Sequence, residues 1–535
     1  MHHSPMVQCY GEHTHVVAGS EGNDRMSTEG APGAPSQLLP SETLRPSVTA
    51  AARPSSNAVG ARWVRLDTVI VLAAIVSALS LYLFRLDQPA QYIYDELYHA
   101  YTAAKLAEGS PAPYDPFAKV PEADKQRGKV AHVWDHPAFA KLPMQVGIKL
   151  FGDRPFGWRI ANAVFGSLGI GIFYILGRRL FQREVALYAT ALLLLDGLWF
   201  VESRLALNDI YLVCFLLLGY LGFALYFQSP PERRWRYLWL TGAGLGLAIA
   251  TKWSALYSIG LVGLAATIRE TWLCLAAART QPRRAALQLL GAAATLGGAF
   301  LLLPAALYVA AYAQYFSMGF TWSDWRELQR QMWIYHTNLK APHSWASPWW
   351  SWPLMLRPVW YHLFIMGNPL SWWLHLPAVL FVGIQWIRGR FRSAALGLVL
   401  LGYFGQWLPW SLSPRVAYFY HMLPSVPFAC LALGYTLAQI RPRRVPITPS
   451  RWIHGRTLVR GYLVVVLLGF IFFYPMFTWL PVSDAPIVPL SRLGLGPDLN
   501  FVQLHYWLPT WVPGSPWAYG SPQPAVWDLL RSLLR

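Results

Sequence analysis

Between residues 66 and 479 the chain alternates apolar runs with short gaps, and that alternation dictates its solvent. The runs lie near 66–84, 157–176, 185–201, 207–227, 237–250, 254–268, 286–312, 363–387, 394–410, 423–440 and 461–479, eleven in all. Most are as long as a helix must be to cross ~30 Å of hydrocarbon. A single soluble core stops growing at roughly 250–300 residues, so this much apolar sequence needs lipid around it. The composition agrees. Hydrophobic residues make up 55% of the chain and charged residues 13%, where a soluble protein carries about 25% charged. There are 27 Trp and 27 Tyr, aromatics that collect at membrane interfaces. A soluble enzyme, a disordered chain and a fibrous repeat are all excluded. The expected fold is an all-α polytopic membrane protein with about 11 transmembrane helices. The pair at 237–250 and 254–268 is its least regular part, being short and joined by almost nothing.

The gaps supply an orientation. Arg178, Arg179 and Arg183 fill one, and Arg233, Arg234 and Arg236 the next but one. Arg269, Arg279, Arg283 and Arg284 follow, then Arg388, Arg390 and Arg392, then Arg441, Arg443, Arg444, Arg451, Arg456 and Arg460. The intervening gaps carry one positive charge each: Arg204, Lys252, Arg415. The positive-inside rule then places the N-terminus in the cytoplasm and the C-terminus outside. The net charge of +18 is mostly this topology signal, so nucleic-acid binding is not needed to explain it. Residues 1–60 are polar, without apolar period or secretory signal, and read as a disordered cytoplasmic tail. The transmembrane domain spans 61–480, with outer loops at about 85–156 and 313–362, and 481–535 is an extracytoplasmic segment. Cys214, Cys274 and Cys430 lie in or beside apolar stretches and Cys9 in the tail; they read as packing residues, with no disulfide framework or zinc site.

The polar residues that topology does not explain gather outside. Tyr94-Asp95-Glu96-Leu97-Tyr98-His99 follows the first run. Adjacent residues on a helix point about 100° apart, so one carboxylate of Asp95-Glu96 can face reactants while the other holds a backbone group or a cation. A solvated juxtamembrane pair is the plain alternative. In Asp135-His136-Pro137-Ala138-Phe139-Ala140-Lys141, the lysine can bind a phosphate or simply snorkel. Arg159 opens the second run, Glu202 to Asp209 packs three charges into one turn, and Lys252 sits in the turn Ala250-Thr251-Lys252-Trp253. The second loop runs from His336 through His343, Trp345, Trp349, Trp350 and Trp352 to Pro353, aromatics suited to sugar stacking or to the lipid interface. Arg415 and His421 share a last outer turn. His99, His132, His136, Asp95, Glu96 and Asp135 could meet around a metal, but no HExxH spacing or Cys partner supports one. No cofactor is implied.

Together these segments resemble the protein O-mannosyltransferases, the dolichyl-phosphate-mannose–protein mannosyltransferases, over about residues 66 to 480. Asp95-Glu96 is similar to that family's Asp-Glu motif. His136-Pro137-Ala138-Phe139-Ala140-Lys141 resembles a His-Pro-Pro-Leu-Gly-Lys element, keeping the His, the first Pro and the Lys. Ala250-Thr251-Lys252-Trp253 looks like an Ala-Thr-Lys-Trp turn. His343 to Pro353 resembles a Ser-x-Pro-Trp-x-Trp-Pro loop, and Gly367-Asn368-Pro369 and Arg415 to His421, with Pro424, also fit.

The resemblance implies a GT-C glycosyltransferase fold and inverting transfer of mannose from a polyprenyl phosphate to Ser or Thr hydroxyls of translocated proteins. A second outer loop of about 50 residues is too short for the β-trefoil (MIR) domain of eukaryotic members, so the expected form is the bacterial one, at the outer face of the plasma membrane. Asp95 is then the expected base, with Glu96 as its structural or acceptor-binding partner. Lys141 and Arg159 are the first choices for the lipid phosphate, with Lys252, Arg415 and His421 available beside them. His136, Glu202, Asp209, His343 and Trp349 are expected to contact substrates. Two other readings remain: a GT-C transferase with a glycolipid acceptor, such as the lipid A aminoarabinose transferases, and a transporter. The second lacks paired Gly/Pro-broken spans in related halves.

Overall fold

The computed structural model describes residues 63–513 except 129, 340–342, 361–362, 414, 449, 483–484, 489–490 and 492–498. The expected tail at 1–60 and residues 514–535 of the expected extracytoplasmic segment lie outside the described residues. Seventeen α-helices are present among them. They are α1 (Arg65–Leu83), α2 (Glu96–Ala107), α3 (Lys141–Phe151), α4 (Pro155–Leu180), α5 (Arg183–Leu194), α6 (Gly197–Glu202), α7 (Asp209–Gln228), α8 (Pro231–Ile249) and α9 (Ala255–Ala278). There follow α10 (Pro282–Gly297), α11 (Leu303–Ala310), α12 (Ala313–Ser317), α13 (Trp322–Asn338), α14 (Pro369–Arg388), α15 (Ala394–Trp407), α16 (Val426–Ile440) and α17 (Gly455–Thr478). Each of the apolar runs contains helix. Among the described residues, eight spans are long and apolar enough to cross a membrane: α1, α4, α7, α9, α10 with α11, α14, the turn from Phe419 with α16, and α17. The run at 185–201 breaks into α5 and α6 around Asp196, whose carboxylate caps α6 by accepting from the Trp199 amide at 2.9 Å. The run expected from 363 begins as helix only at Pro369, where Asn368 accepts from the Leu370 amide.

Proline at the first or second helical position starts α4, α8, α10 and α14, where its missing N–H would have no partner anyway. Within the bundle, α7 is central: 83% of its apolar window is buried, against 22% for α1. The outward faces of α1 (Val69, Leu72, Val76) and α9 (Leu264, Ile268) are exposed, as helices facing lipid must be. Small residues let α7 and α8 meet backbone to backbone: a Cβ on Gly244 would lie 2.4 Å from the Gly219 nitrogen. Close approach of this kind drives helix association where no hydrophobic effect is available.

Charged residues lock both ends. At one end Asp67 binds Arg178 and Arg183, and Glu270 binds Arg234, Arg269 and Tyr226. At the other, Arg204 receives the last carbonyls of α1, donating from Nη1 to Tyr82 and Phe84 at 2.6 Å and from Nη2 to Arg85 at 3.0 Å. Those carbonyls have no partner within the helix, so Arg204 fixes where the first loop leaves the bundle. The second loop carries α12, α13 and short turns. The described C-terminal segment packs back on the bundle through the buried Trp511, whose indole donates to the Met355 carbonyl at 2.9 Å.

Candidate active site

The first loop turns sharply before α2. Tyr94 lies at φ 52°, in the left-handed region, and Asp95 is the residue before the first helical one, Glu96. The two carboxylates therefore diverge. Glu96 is fully buried, accepts from the Ile93 amide at 3.1 Å and the Ala206 amide at 3.0 Å, and pairs with Arg159. Asp95 is half-buried, and no hydrogen bond to a described residue occupies its carboxylate. Burial raises its pKa to about 7; Lys252 and Arg415 work against this rise, while Asp209 and Asp135 add to it. A carboxylate titrating near neutrality is suited to general-base work.

Arg159 corrects one expectation. Its Nε donates to Glu96, Nη1 to the carbonyls of Leu86 and Pro89, and Nη2 to Glu96 and the Gln91 carbonyl. All five N–H donors of a guanidinium are thereby engaged, so none remains for a lipid phosphate. Arg159 and Arg204 instead hold the segment between α1 and α2 that presents Asp95.

The other cations have different partners. Lys252 lies against both oxygens of Asp209, at 2.9 and 2.8 Å, and over the Tyr420 ring. Lys141 is 2% exposed and has only neutral partners, the Asn208 amide oxygen at 3.0 Å and His99 Nδ1 at 2.9 Å. Burial pulls its pKa down from the ordinary lysine value. Arg415 contacts His336 and the Val416 carbonyl. His421 stacks on Trp410, centroids 4.1 Å apart, and its Nδ1 accepts from the Tyr418 amide. His136 lies between His99 and His336, at 5.9 and 5.2 Å between centroids. Glu202 is fully buried with both carboxylate oxygens unpartnered; burial and the neighbouring Asp209 push it well above the usual carboxylate range.

Two expected substrate contacts stand further out. His343 meets the edge of Tyr418 at 5.0 Å. Trp349 packs on Trp407 at 5.5 Å and accepts from its indole through the main-chain carbonyl. The sequence reading considered His99 only as a metal ligand, and gave His336 and Asn208 no role of their own. His336 meets the first loop at Asp135, 201 residues away in the chain, and no local pattern announces such a contact. Ligand atoms of Asp135, His136 and His336 lie within 4.8 Å of one another. Both His336 nitrogens are already engaged there, however, one by a guanidinium, which leaves that ring no lone pair for a cation.

A bundle of membrane-length helices with a carboxylate and several cations gathered on the loops at one end fits the GT-C glycosyltransferase fold that the resemblance implies. A family model described as dolichyl-phosphate-mannose-protein mannosyltransferase matches residues 133–320, and one described as the C-terminal four-TMM region of protein-O-mannosyltransferase matches 321–485. The chain belongs to this protein O-mannosyltransferase family. It is 29% identical over 454 residues to the polyprenol-phosphate-mannose–protein mannosyltransferase of Mycolicibacterium smegmatis, covering 70% of this chain and 81% of that one. The Corynebacterium glutamicum protein of the same description is 26% identical, over 65% of this chain and 79% of its own. Among solved structures, the Saccharomyces cerevisiae Pmt1-Pmt2 complex bound to the sugar donor superposes with TM-score 0.66 at 15% identity, covering 88% of this chain and 96% of that one. The likeness to that structure is one of fold.

Proposed function

We propose that this chain transfers mannose from a polyprenyl-phosphate-mannose donor to Ser or Thr hydroxyls of proteins emerging at the outer face of the plasma membrane, with its N-terminus cytoplasmic. The observation that carries the mechanism is Asp95: a carboxylate free of hydrogen bonds to described residues, titrating near neutrality, among Lys141, Lys252 and Arg415. Asp95 takes the acceptor proton as the hydroxyl oxygen attacks the anomeric carbon. The bond from that carbon to the phosphate oxygen breaks in the same displacement, so configuration inverts without a covalent sugar intermediate. Charge develops on the departing phosphate, and fixed cations stabilise it without reorganising. Lys141 and Arg415 serve this role best, because neither forms a salt bridge among the described contacts, and the nearby Asp135 carboxylate favours the charged form of Lys141 against its burial. Asp209 orients Lys252. Glu202, held as a neutral acid, can donate to a sugar hydroxyl, and His136 lies beside the same cluster.

Mass spectrometry of secreted proteins from cells lacking the gene tests this reading. Loss of hexose from Ser and Thr, restored by the wild-type chain and not by Asp95→Asn, is the expected result. Unchanged protein glycosylation together with loss of a sugar from a glycolipid would move the chain to a glycolipid acceptor instead.

A further inference from the structure

Arg415 lies on an irregular segment between α15 and the turn at Phe419. Apart from a 3.4 Å bond to the Val416 carbonyl, its described contact is with one imidazole: Nη1 donates to Nδ1 of His336. His336 sits near the end of α13, a helix fixed at its start by a capping box between Thr321 and Asp324. Its other nitrogen, Nε2, lies 2.7 Å from the Asp135 carbonyl, to which it can only donate. That bond fixes the tautomer, leaving Nδ1 as the acceptor Arg415 requires. The ring is seated against Trp253 at 5.6 Å, His136 at 5.2 Å and Tyr335 at 5.5 Å. One imidazole on the second outer loop thus joins the first loop, the Lys252 turn and the Arg415 segment.

We propose that His336 is the positioning residue for Arg415, holding the guanidinium in place for the donor phosphate by tying it to Asp135. The role requires a neutral ring, since a protonated one would repel Arg415. The groups facing it are Arg415, Lys252, His136 and the Asp135 carbonyl. Burial, then Arg415, lower the His336 pKa to about 4, so it remains an acceptor at physiological pH. The proposal rests on reading this cluster as the donor-phosphate site.

The test uses the purified full-length chain in lipid nanodiscs, with sugar-free polyprenyl phosphate as the probe. Affinity is measured for wild type, His336→Ala, His336→Asn, Arg415→Ala and the Ala/Ala double variant. His336→Ala should weaken binding about tenfold to hundredfold, the range for a hydrogen bond to a charged group. His336→Asn, which keeps an acceptor near the Nδ1 position, should recover most of this. The double variant should bind no more weakly than Arg415→Ala, because both changes remove the same interaction. In turnover assays the loss should fall on KM for the donor more than on kcat. If Arg415→Ala weakens binding while His336→Ala does not, or if the two losses multiply, the positioning role is wrong and the donor-site reading stands. If neither single variant changes affinity, the donor-site reading falls and the proposal with it.

Discussion

Glu96 and Arg159 face each other as a two-pronged ion pair, Nε to Oε1 and Nη2 to Oε2, both at 2.7 Å and both fully shielded from solvent. The pair ties the start of α2 to the start of α4, and the same guanidinium gathers three carbonyls of the connecting segment. Its work is to hold Asp95 in place. Arg159→Ala leaves a buried carboxylate without its cation, which costs about 3–5 kcal/mol in comparable buried pairs. The expected result is a large fall in folded yield and unfolding temperature, with a milder fall when both members are replaced by leucine. An Arg159→Ala protein that melts like wild type but has lost donor affinity would restore Arg159 as a phosphate ligand.

Asp95→Asn keeps shape and removes basicity. Turnover should drop about 10²–10⁴-fold, with polyprenyl-phosphate binding nearly unchanged. The wild-type rate should fall as pH drops below about 7, where the carboxyl takes up its proton, and that acid limb should vanish in the variant. Stability runs the other way. The folded pKa is raised above its ordinary 3.8, so Asp95 favours the folded state at low pH and that contribution is lost as pH rises through about 7. Asp95→Asn should therefore raise the unfolding temperature at pH 8 and leave it nearly unchanged at pH 4. Retention of more than about a tenth of wild-type turnover would remove Asp95 from the role of base.

Lys252 and Asp209 form a second buried pair, joining the α8–α9 turn to the start of α7. Removing either partner alone strands a charge, whereas removing both does not. Lys252→Met and Asp209→Leu should each destabilise the protein by more than the double substitution does. Thermal unfolding of the three variants measures the coupling, and simple additivity would show that the pair is not an energetic unit.

The helices were legible because lipid imposes a long apolar run on each span, and all the runs between 66–84 and 461–479 contain helix. The breaks were less so. Asp196 ends α5 inside one run, and its signal is a single acidic residue read only through its cap. The motifs brought Asp95, Lys141, Lys252, Arg415 and His421 to notice, because charged residues beside spans are scarce and costly. Their division of labour was not legible. Whether an arginine is free or fully engaged depends on carbonyls far away in sequence: Leu86, Pro89 and Gln91 for Arg159, Tyr82 and Phe84 for Arg204. Main-chain carbonyls carry no sequence signature. His336 escaped for the same reason, its partners being a carbonyl and a guanidinium on other loops.

The orientation in the membrane is testable directly. The proposed orientation puts residue 450 inside the cell and residues 110 and 344 outside. Ser344 and Ser450 are exposed and Ser110 half-exposed, so a cysteine at each is open to a reagent. The native Cys214, Cys274 and Cys430 are buried, which keeps their background low. In intact cells an impermeant thiol reagent should label Ser110→Cys and Ser344→Cys and spare Ser450→Cys until the membrane is opened. The loops bearing Asp95 and His336 would then face the compartment that holds translocated proteins. Labelling of Ser450→Cys without Ser344→Cys in sealed cells would invert the bundle, and no acceptor protein emerging outside could reach Asp95.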